Sequence, residues 1–398
     1  MLRQPHVPRT FGAALVGRFS YGLIFLSLVV ALSRATGSYA WAGTALACFG
    51  LSTSFLAPLR ARLIDRRGPR RVLPVMAVAY AVLLAALTVA TWGPGTPVWA
   101  LVALTLSAGA CAPPLGPVMR ALWSDLMPDR EMRQRAFSLD TVAEELLYVV
   151  GPLVAGLFIA FGNPALGVGV SALLALAGSL ALAYAPITRR DRSDREAAGP
   201  AEPGPGAPVG ATGPFAPAVV AGGVGVSLGA LDLLVVAFAE RHHHIAAVAW
   251  IQAALSVGSA VGGLAYGARA WRLTSRQRLP LLAVALSVSL GAAGLAPGIF
   301  PLAVAVGCAG LFVAPTLSTA YMAADECATP ETRVRAGTWV NSAFNAGSSG
   351  GTTAAGLALG RFPLWLCFVA AALPTLASSL PATTTLPRFG RTNPDAAR

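Results

Sequence analysis

Twelve stretches of mostly apolar residues follow one another along this 398-residue chain, approximately at 11–33, 39–59, 72–92, 97–122, 136–161, 164–187, 216–239, 245–268, 279–298, 300–323, 335–360 and 363–385. A hydrocarbon core needs about 20 such residues per helical crossing. Inside it every backbone N–H and C=O must find its partner within the segment, so runs of this kind become helices. The pattern predicts an all-α membrane protein with 12 transmembrane helices, the glycine-rich eleventh being the weakest. The first run lacks a small-residue cleavage site behind a short apolar core and reads as a retained span, not a signal peptide.

Composition agrees with a bilayer and not with a soluble enzyme, since 55% of the residues are hydrophobic and 12% charged. The net charge of +12 would point to nucleic acid in a soluble protein. Here topology accounts for it. With a cytoplasmic N-terminus, 25 of the 29 arginines fall in inside segments, Arg60, Arg120 and Arg278 among them. Only Arg34, Arg241 and Arg361 lie outside, and Arg18 sits within the first span. That asymmetry follows the positive-inside rule and predicts an N-in, C-in chain.

Lysine is absent. A phosphate-binding P-loop requires Gly-Lys-Ser/Thr, so uphill work must draw on an ion gradient or a partner subunit, and no lysine Schiff base can form. The five cysteines are scattered through apolar runs without metal-ligand spacing and read as small packing residues. Gly225–Gly229 matches a nucleophile elbow and Gly167–Ala172 a dinucleotide loop. Both motifs need a preceding strand, and both lie inside apolar spans, where small residues serve close helix packing. No catalytic residues, cofactor or metal are expected.

Residues 188–214 interrupt the spans with a charged run followed by a Gly/Pro/Ala-rich stretch, predicted as a cytoplasmic linker between bundles at 1–187 and 215–398. A weak repeat relates the two. At an offset of 202, Ala112-Pro113 matches Ala314-Pro315, and at 200 Arg135-Ala136 matches Arg335-Ala336. Parallel six-helix repeats with a site between them are a transporter architecture.

Between the second and third runs lies Arg60-Ala61-Arg62-Leu63-Ile64-Asp65-Arg66-Arg67-Gly68-Pro69-Arg70-Arg71, predicted as a basic hairpin loop. Its core resembles the loop between helices 2 and 3 of the major facilitator superfamily, keeping Leu63, Asp65, Arg66, Gly68 and Arg70 and departing at Ala61 and Pro69. The resemblance covers essentially the whole chain. It implies two six-helix pseudo-repeats of the major facilitator fold and a cytoplasmic latch in which the aspartate engages arginines and a helix N-terminus, where an anion is favoured. The eleventh span begins nearby with Arg333 and Arg335. The alternative is a solvated loop that only sets orientation. The equivalent segment after the eighth span, Tyr266–Arg272, keeps basic charge and lacks the aspartate.

In the fifth span, Gly151-Pro152-Leu153-Val154-Ala155-Gly156 resembles the Gly-Pro-x-x-Gly-Gly signature of drug–proton antiporters, with Ala155 in place of one glycine. The resemblance implies proton-coupled export. The alternative is ordinary packing around a proline kink. The same span carries Asp140, Glu144 and Glu145, and carboxylates in a membrane face the bundle interior or a wet cavity. Glu144, about 14 Å beyond Arg135 at 1.5 Å per residue, and Glu145 are candidates for proton coupling or for a cationic substrate group. A structural ion pair with Arg18 is the other reading. Asp140, nearer the interface, is expected to pair with a loop arginine. Asp232 in the seventh span reads as a buried acid without a cationic neighbour, for protonation, cation binding or an outer-gate hydrogen bond. The repeat places Asn341 and Asn345 opposite the acids as uncharged polar candidates, and Gly347–Gly351 could break the eleventh helix. Pro113, Pro114 and Pro117 should kink the fourth. His242–His244 read as a solvated outer loop, and Trp41, Trp92, Trp99 and Trp365 as interfacial anchors.

The expectation is a monomeric secondary transporter of a bacterial cytoplasmic membrane, exporting a small organic molecule in exchange for protons. An uptake permease or a non-transporting receptor or scaffold are the alternatives.

Overall fold

A computed structural model describes residues 6–127, 129–186 and 215–383; the predicted linker at 188–214 lies outside the described residues. The chain forms helices α1 (Val7–Thr36), α2 (Tyr39–Arg67), α3 (Pro69–Ala90), α4 (Val98–Cys111), α5 (Leu115–Leu126), α6 (Arg130–Phe161), α7 (Pro164–Ala183), α8 (Phe215–Arg241), α9 (Ala247–Ala268), α10 (Ser275–Ala293), α11 (Ile299–Glu326), α12 (Arg333–Ala358) and α13 (Leu364–Thr383). Counting α4 and α5 as one helix interrupted at the prolines gives twelve among the described residues. Nine of them are long and apolar enough to cross a bilayer. The other three, α10, α12 and α13, are shorter or richer in polar residues and glycine.

Several helices outrun their apolar cores by one or two turns at the end that carries the arginines, here termed the basic end. The segment expected as a hairpin loop is therefore almost all helix: α2 runs to Arg67, α3 starts at Pro69, and Gly68 alone connects them. Gly68 has φ of 82°, a conformation that favours glycine, and Pro69 suits a first helical position. At other ends, the Ser38 hydroxyl accepts from Trp41 N, Asn163 accepts from Ala165 N, and Thr274 with Gln277 forms a capping box.

Within residues 6–186, α1 packs on α6 and α7, and α3 on α7; within 215–383, α8 packs on α12, α9 on α11 and α10 on α13. One close crossing in the first group is Gly22 on Gly151, where a Cβ on Gly151 would lie 2.3 Å from the Gly22 carbonyl carbon. In the second, a Cβ on Gly351 would lie 2.0 Å from Val226 O. Gly347 and Gly351 therefore pack on α8 and do not break α12, which is continuous.

The two groups meet through α2 and α5 on α12, and through α6 on α9 and α11. Ser138 against Gly267 and Val142 against Gly263 carry this seam inward from the basic end.

Candidate functional site

The interruption between α4 and α5 builds one wall of the site. Prolines 113, 114 and 117 lack an N–H and so free the carbonyls four residues earlier, at Gly109, Ala110 and Pro113. Each finds a side-chain donor. Arg60 Nη1 donates to Gly109 O at 2.8 Å, Ala110 O at 3.3 Å and Ala112 O at 2.7 Å, and Tyr21 OH donates to Pro113 O. Arg18 Nη2 donates to Gly116 O at 3.0 Å. Arg60 is thus buried in the bundle, as are Arg120 and Arg278. These three arginines, counted above among the loop charges that set orientation, have partners inside the protein.

A charged network lies beside this break. Arg18 Nη1 donates to Asp140 Oδ1 at 2.9 Å and Nη2 to Oδ2 at 3.2 Å. Arg120 Nε lies 3.0 Å from Asp140 Oδ2, and its Nη2 bonds Glu144 Oε2. Two arginines facing two carboxylates balance charge, which is what allows such groups to stay buried. Asp140 is fully buried, whereas the Glu144 side chain is 20% exposed. Arg120 stacks its guanidinium 3.6 Å from the centroid of the Tyr321 ring on α11, and Tyr321 OH donates to Asn341 Oδ1 on α12 at 3.3 Å. Tyr148 stands among Glu144, Tyr321, Arg18 and Arg120 and is still 55% exposed.

This geometry corrects the expected pairings. Asp140 lies deep and holds Arg18, and Glu144 holds Arg120. The reason is the start of α6 at Arg130, ahead of the apolar run, which puts Asp140 about 15 Å and Glu144 about 21 Å along the helix at 1.5 Å per residue. Glu145 points away from the arginines to Ser259 of α9, and its Oε2 makes no hydrogen bond. Asp232 is exposed, not buried, and accepts from Gln252 Nε2 at 2.8 Å. Asn345 is exposed one turn above Asn341. Gly151 makes the close crossing described above; Pro152 is exposed, and Gly156 has open space where a Cβ would stand, so tight packing does not extend to Gly156.

At the basic end, Asp65 accepts from the backbone N–H of Val334 at 3.2 Å and of Arg335 at 3.1 Å. These are first-turn donors of α12, whose N-cap Thr332 makes no side-chain cap bond. Leu63 packs against the core, Arg66 is exposed, and Arg70 lies 5.8 Å over the Tyr184 ring. Around them, Arg333 bonds Asp125 and lies 3.6 Å from Asp325, Arg133 lies 3.7 Å from Asp325, and Arg130 lies 3.7 Å from Glu326. Gln134 Nε2 donates to Tyr266 O at 2.8 Å and Arg269 O at 3.1 Å, while its Oε1 accepts from Arg278 at 2.6 Å.

Sequence reasoning did not single out Tyr321, Gln134, Arg278 or Asp325, and it took Arg120 for a loop charge. A single arginine inside the fourth apolar run was the available signal for Arg120. At the opposite end, His242 Nδ1 lies 2.9 Å from Phe238 O and the ring stacks on Phe238. No cluster of metal-ligating side chains occurs among the described residues.

Residues 10–243 match the profile described as Major Facilitator Superfamily. Among solved structures, the human organic anion transporter MFSD10 (TETRAN) is similar at 16% identity, with a TM-score of 0.73 over 96% of this chain and 100% of that one. A bacterial homologue of the iron transporter ferroportin, in an outward-facing state with soaked iron, is similar at 14% identity, with a TM-score of 0.67 over 95% of this chain and 97% of the other. The Escherichia coli fucose:proton symporter FucP is similar at 12% identity, also with a TM-score of 0.67, over 96% and 99% of the two chains. A comparison with curated proteins gives no match. Likeness at these identities concerns the fold.

Proposed function

Because this chain belongs to the major facilitator superfamily, we propose that it is a monomeric secondary transporter of a bacterial cytoplasmic membrane, exporting a small organic molecule in exchange for protons. Its basic end is cytoplasmic on this reading, with both termini inside. The single observation that carries the reading is the Arg18–Asp140–Arg120–Glu144 network. It contains one partly exposed carboxylate, Glu144, tied to an arginine that stacks on Tyr321 across the seam. Exchange requires a carboxylate that water can reach and that changes charge without collapsing the bundle. When Glu144 takes a proton, Arg120 keeps Asp140 as counter-ion. When Glu144 loses it, Arg120 is again paired twice. Either change alters the hold of Arg120 on Tyr321, and so the contact between the two helix groups. The Gly-Pro motif on the same helix supports the export direction, and Asp65 on the α12 N-terminus supports a cytoplasmic latch engaged in an outward-open state.

The test uses inverted vesicles carrying the protein and a luminal pH probe, with an inside-acid gradient and a panel of cationic, anionic and neutral compounds. Substrate-triggered alkalinisation that disappears in Glu144→Gln supports proton antiport through that residue. Alkalinisation that survives Glu144→Gln but not Glu145→Gln or Asp232→Asn moves the carrier there. Substrate-triggered acidification would replace export by proton exchange with symport.

A further inference from the structure

The chain holds its basic end closed in two places, and the second is built differently from the first. In the first, a side chain of one helix group receives backbone donors of the other: Asp65 takes the N–H groups of Val334 and Arg335. At the repeat-related place the aspartate is missing from Tyr266–Arg272, and sequence alone leaves that segment without a partner. The structure supplies one in Gln134. At the repeat offset of 200 it stands where the other half has Val334, and its side chain donates to the carbonyls of Tyr266 and Arg269 at the end of α9.

The inversion has a physical cause. Helix α12 begins with Arg333 and Arg335, has no acid in its first turn and lacks a side-chain cap. Its unpaired N–H groups and basic residues call for an outside carboxylate. Helix α6 begins behind Asp129 with Glu131 in its first turn, so its N-terminus already has negative charge and would repel a second aspartate. What remains at this corner is the carboxyl-terminal end of α9, whose last carbonyls need donors. Trp271 Nε1 gives Tyr266 O one at 3.1 Å, and Arg269 O and the second lone pair of Tyr266 O are left to be served. A neutral amide with two N–H groups meets that need. Its other face is fixed by Arg278, which bonds Gln134 Oε1 at 2.6 Å and stacks over Tyr266 at 5.3 Å. Gln134 and Arg278 are 4% and 3% exposed, so the bonds to Tyr266 O and between the two side chains are made out of water, while that to Arg269 O is partly buried.

We infer that Gln134, oriented by Arg278, is a second gate latch: a positioning residue whose amide must release the α9 carbonyls each time the basic end opens. The inference rests on the transporter reading above, in which the basic end must open and close. It assigns the closed state to two separate locks, one anionic and one neutral.

The test reports gate opening without any substrate. Ser138, buried between the helix groups beside Ser318 and Gly267, is changed to cysteine in an otherwise cysteine-free full-length protein in nanodiscs. Its reaction rate with a charged maleimide is then followed. Gln134→Glu keeps the size of the side chain and its contact with Arg278 but cannot donate to two carbonyls. It and Gln134→Leu should each raise the labelling rate about tenfold, the scale of losing hydrogen bonds to buried acceptors. Asp65→Asn should raise it independently, and the double variant should exceed either single one. Thermal unfolding of each variant in detergent separates gate opening from general loosening, since a merely structural role would lower the melting temperature without selective labelling. Labelling of both Gln134 variants at the parental rate overturns the inference, whatever Asp65→Asn does. Fast labelling with no transport of any compound would sink the export reading and leave the second latch in place.

Discussion

Arg18 of α1 and Asp140 of α6 face each other as a fork, with two hydrogen bonds of 2.9 and 3.2 Å made in the interior of the helix bundle. A bidentate guanidinium–carboxylate pair is among the stronger arrangements open to buried charges. Arg120 approaches the same carboxylate at 3.0 Å, so Asp140 balances two cations. Glu144, by contrast, serves Arg120 alone and is partly exposed.

The two carboxylates should therefore respond differently to neutralisation. Asp140→Asn leaves Arg18 without a counter-ion in the interior, and removing one partner of a buried pair costs about 3–5 kcal/mol. Glu144→Gln leaves Arg120 with Asp140, and water reaches the altered side chain, so its cost should be smaller. Thermal unfolding of the purified variants should rank Asp140→Asn well below Glu144→Gln. The reverse order would mean that Asp140 is not the structural anchor of the network.

Glu144→Gln should separate coupling from binding. The variant keeps a polar side chain beside Tyr148 and Tyr321 but cannot exchange a proton. Uphill export driven by a pH gradient should fall to background, while exchange of labelled for unlabelled substrate across vesicles persists. Loss of both activities together would place Glu144 in substrate recognition instead.

How much of this could be read from the chain differs by the kind of signal. Apolar run length is a property of one segment, and it located the helices, although their polar extensions at the arginine-rich end were invisible to hydropathy. Arg18 and Glu144 stood out because a charge in an apolar span is costly and conspicuous, Asp65 through the resemblance of its loop, and Asn341 through the repeat. Which of them touch is a property of the folded chain. Shifting the start of α6 by six residues, from the expected 136 to Arg130, moves Asp140 from the interface to the core and exchanges the partners of Arg18. Tyr321 and Gln134 carried no such signal, since a tyrosine and a glutamine near span ends are commonplace. Their roles arise mainly from distant neighbours, Arg120 for Tyr321 and Tyr266, Arg269 and Arg278 for Gln134.

The prolines of the fourth span and Arg60 should behave as one unit. Pro113 and Pro114 free the carbonyls of Gly109 and Ala110, and Arg60 takes both. Arg60→Ala leaves Gly109 O with Thr53 Oγ1 at 3.2 Å but takes the donor from Ala110 O and Ala112 O, at about 1–3 kcal/mol each, and should lower the melting temperature. Changing Pro113 and Pro114 to alanine in that background restores the two helical N–H donors and should recover part of the loss. The same double change with Arg60 present should not stabilise, because the arginine then competes for carbonyls already bonded. A proline replacement that fails to improve Arg60→Ala would show that the arginine serves some other partner.

Glycines of the Gly-Pro motif should divide sharply on alanine substitution. At Gly151 an added methyl would meet Gly22 backbone atoms at 2.3 to 2.7 Å, and at Gly22 it would meet Leu147 O at 2.4 Å. Backbone cannot turn aside as a flexible side chain can, so α1 and α6 must separate, and overpacking of this kind costs about 1–3 kcal/mol. Separation would also stretch the Arg18–Asp140 fork, which joins the same two helices. Gly156 meets nothing within 4 Å, and alanine there should be neutral or slightly favourable, since it reduces the backbone entropy of a helical glycine. Transport and thermal unfolding of Gly22→Ala, Gly151→Ala and Gly156→Ala test the division. If Gly156→Ala abolishes transport while its melting temperature is unchanged, the motif acts through a conformation other than the one described, one in which a neighbour closes on Gly156.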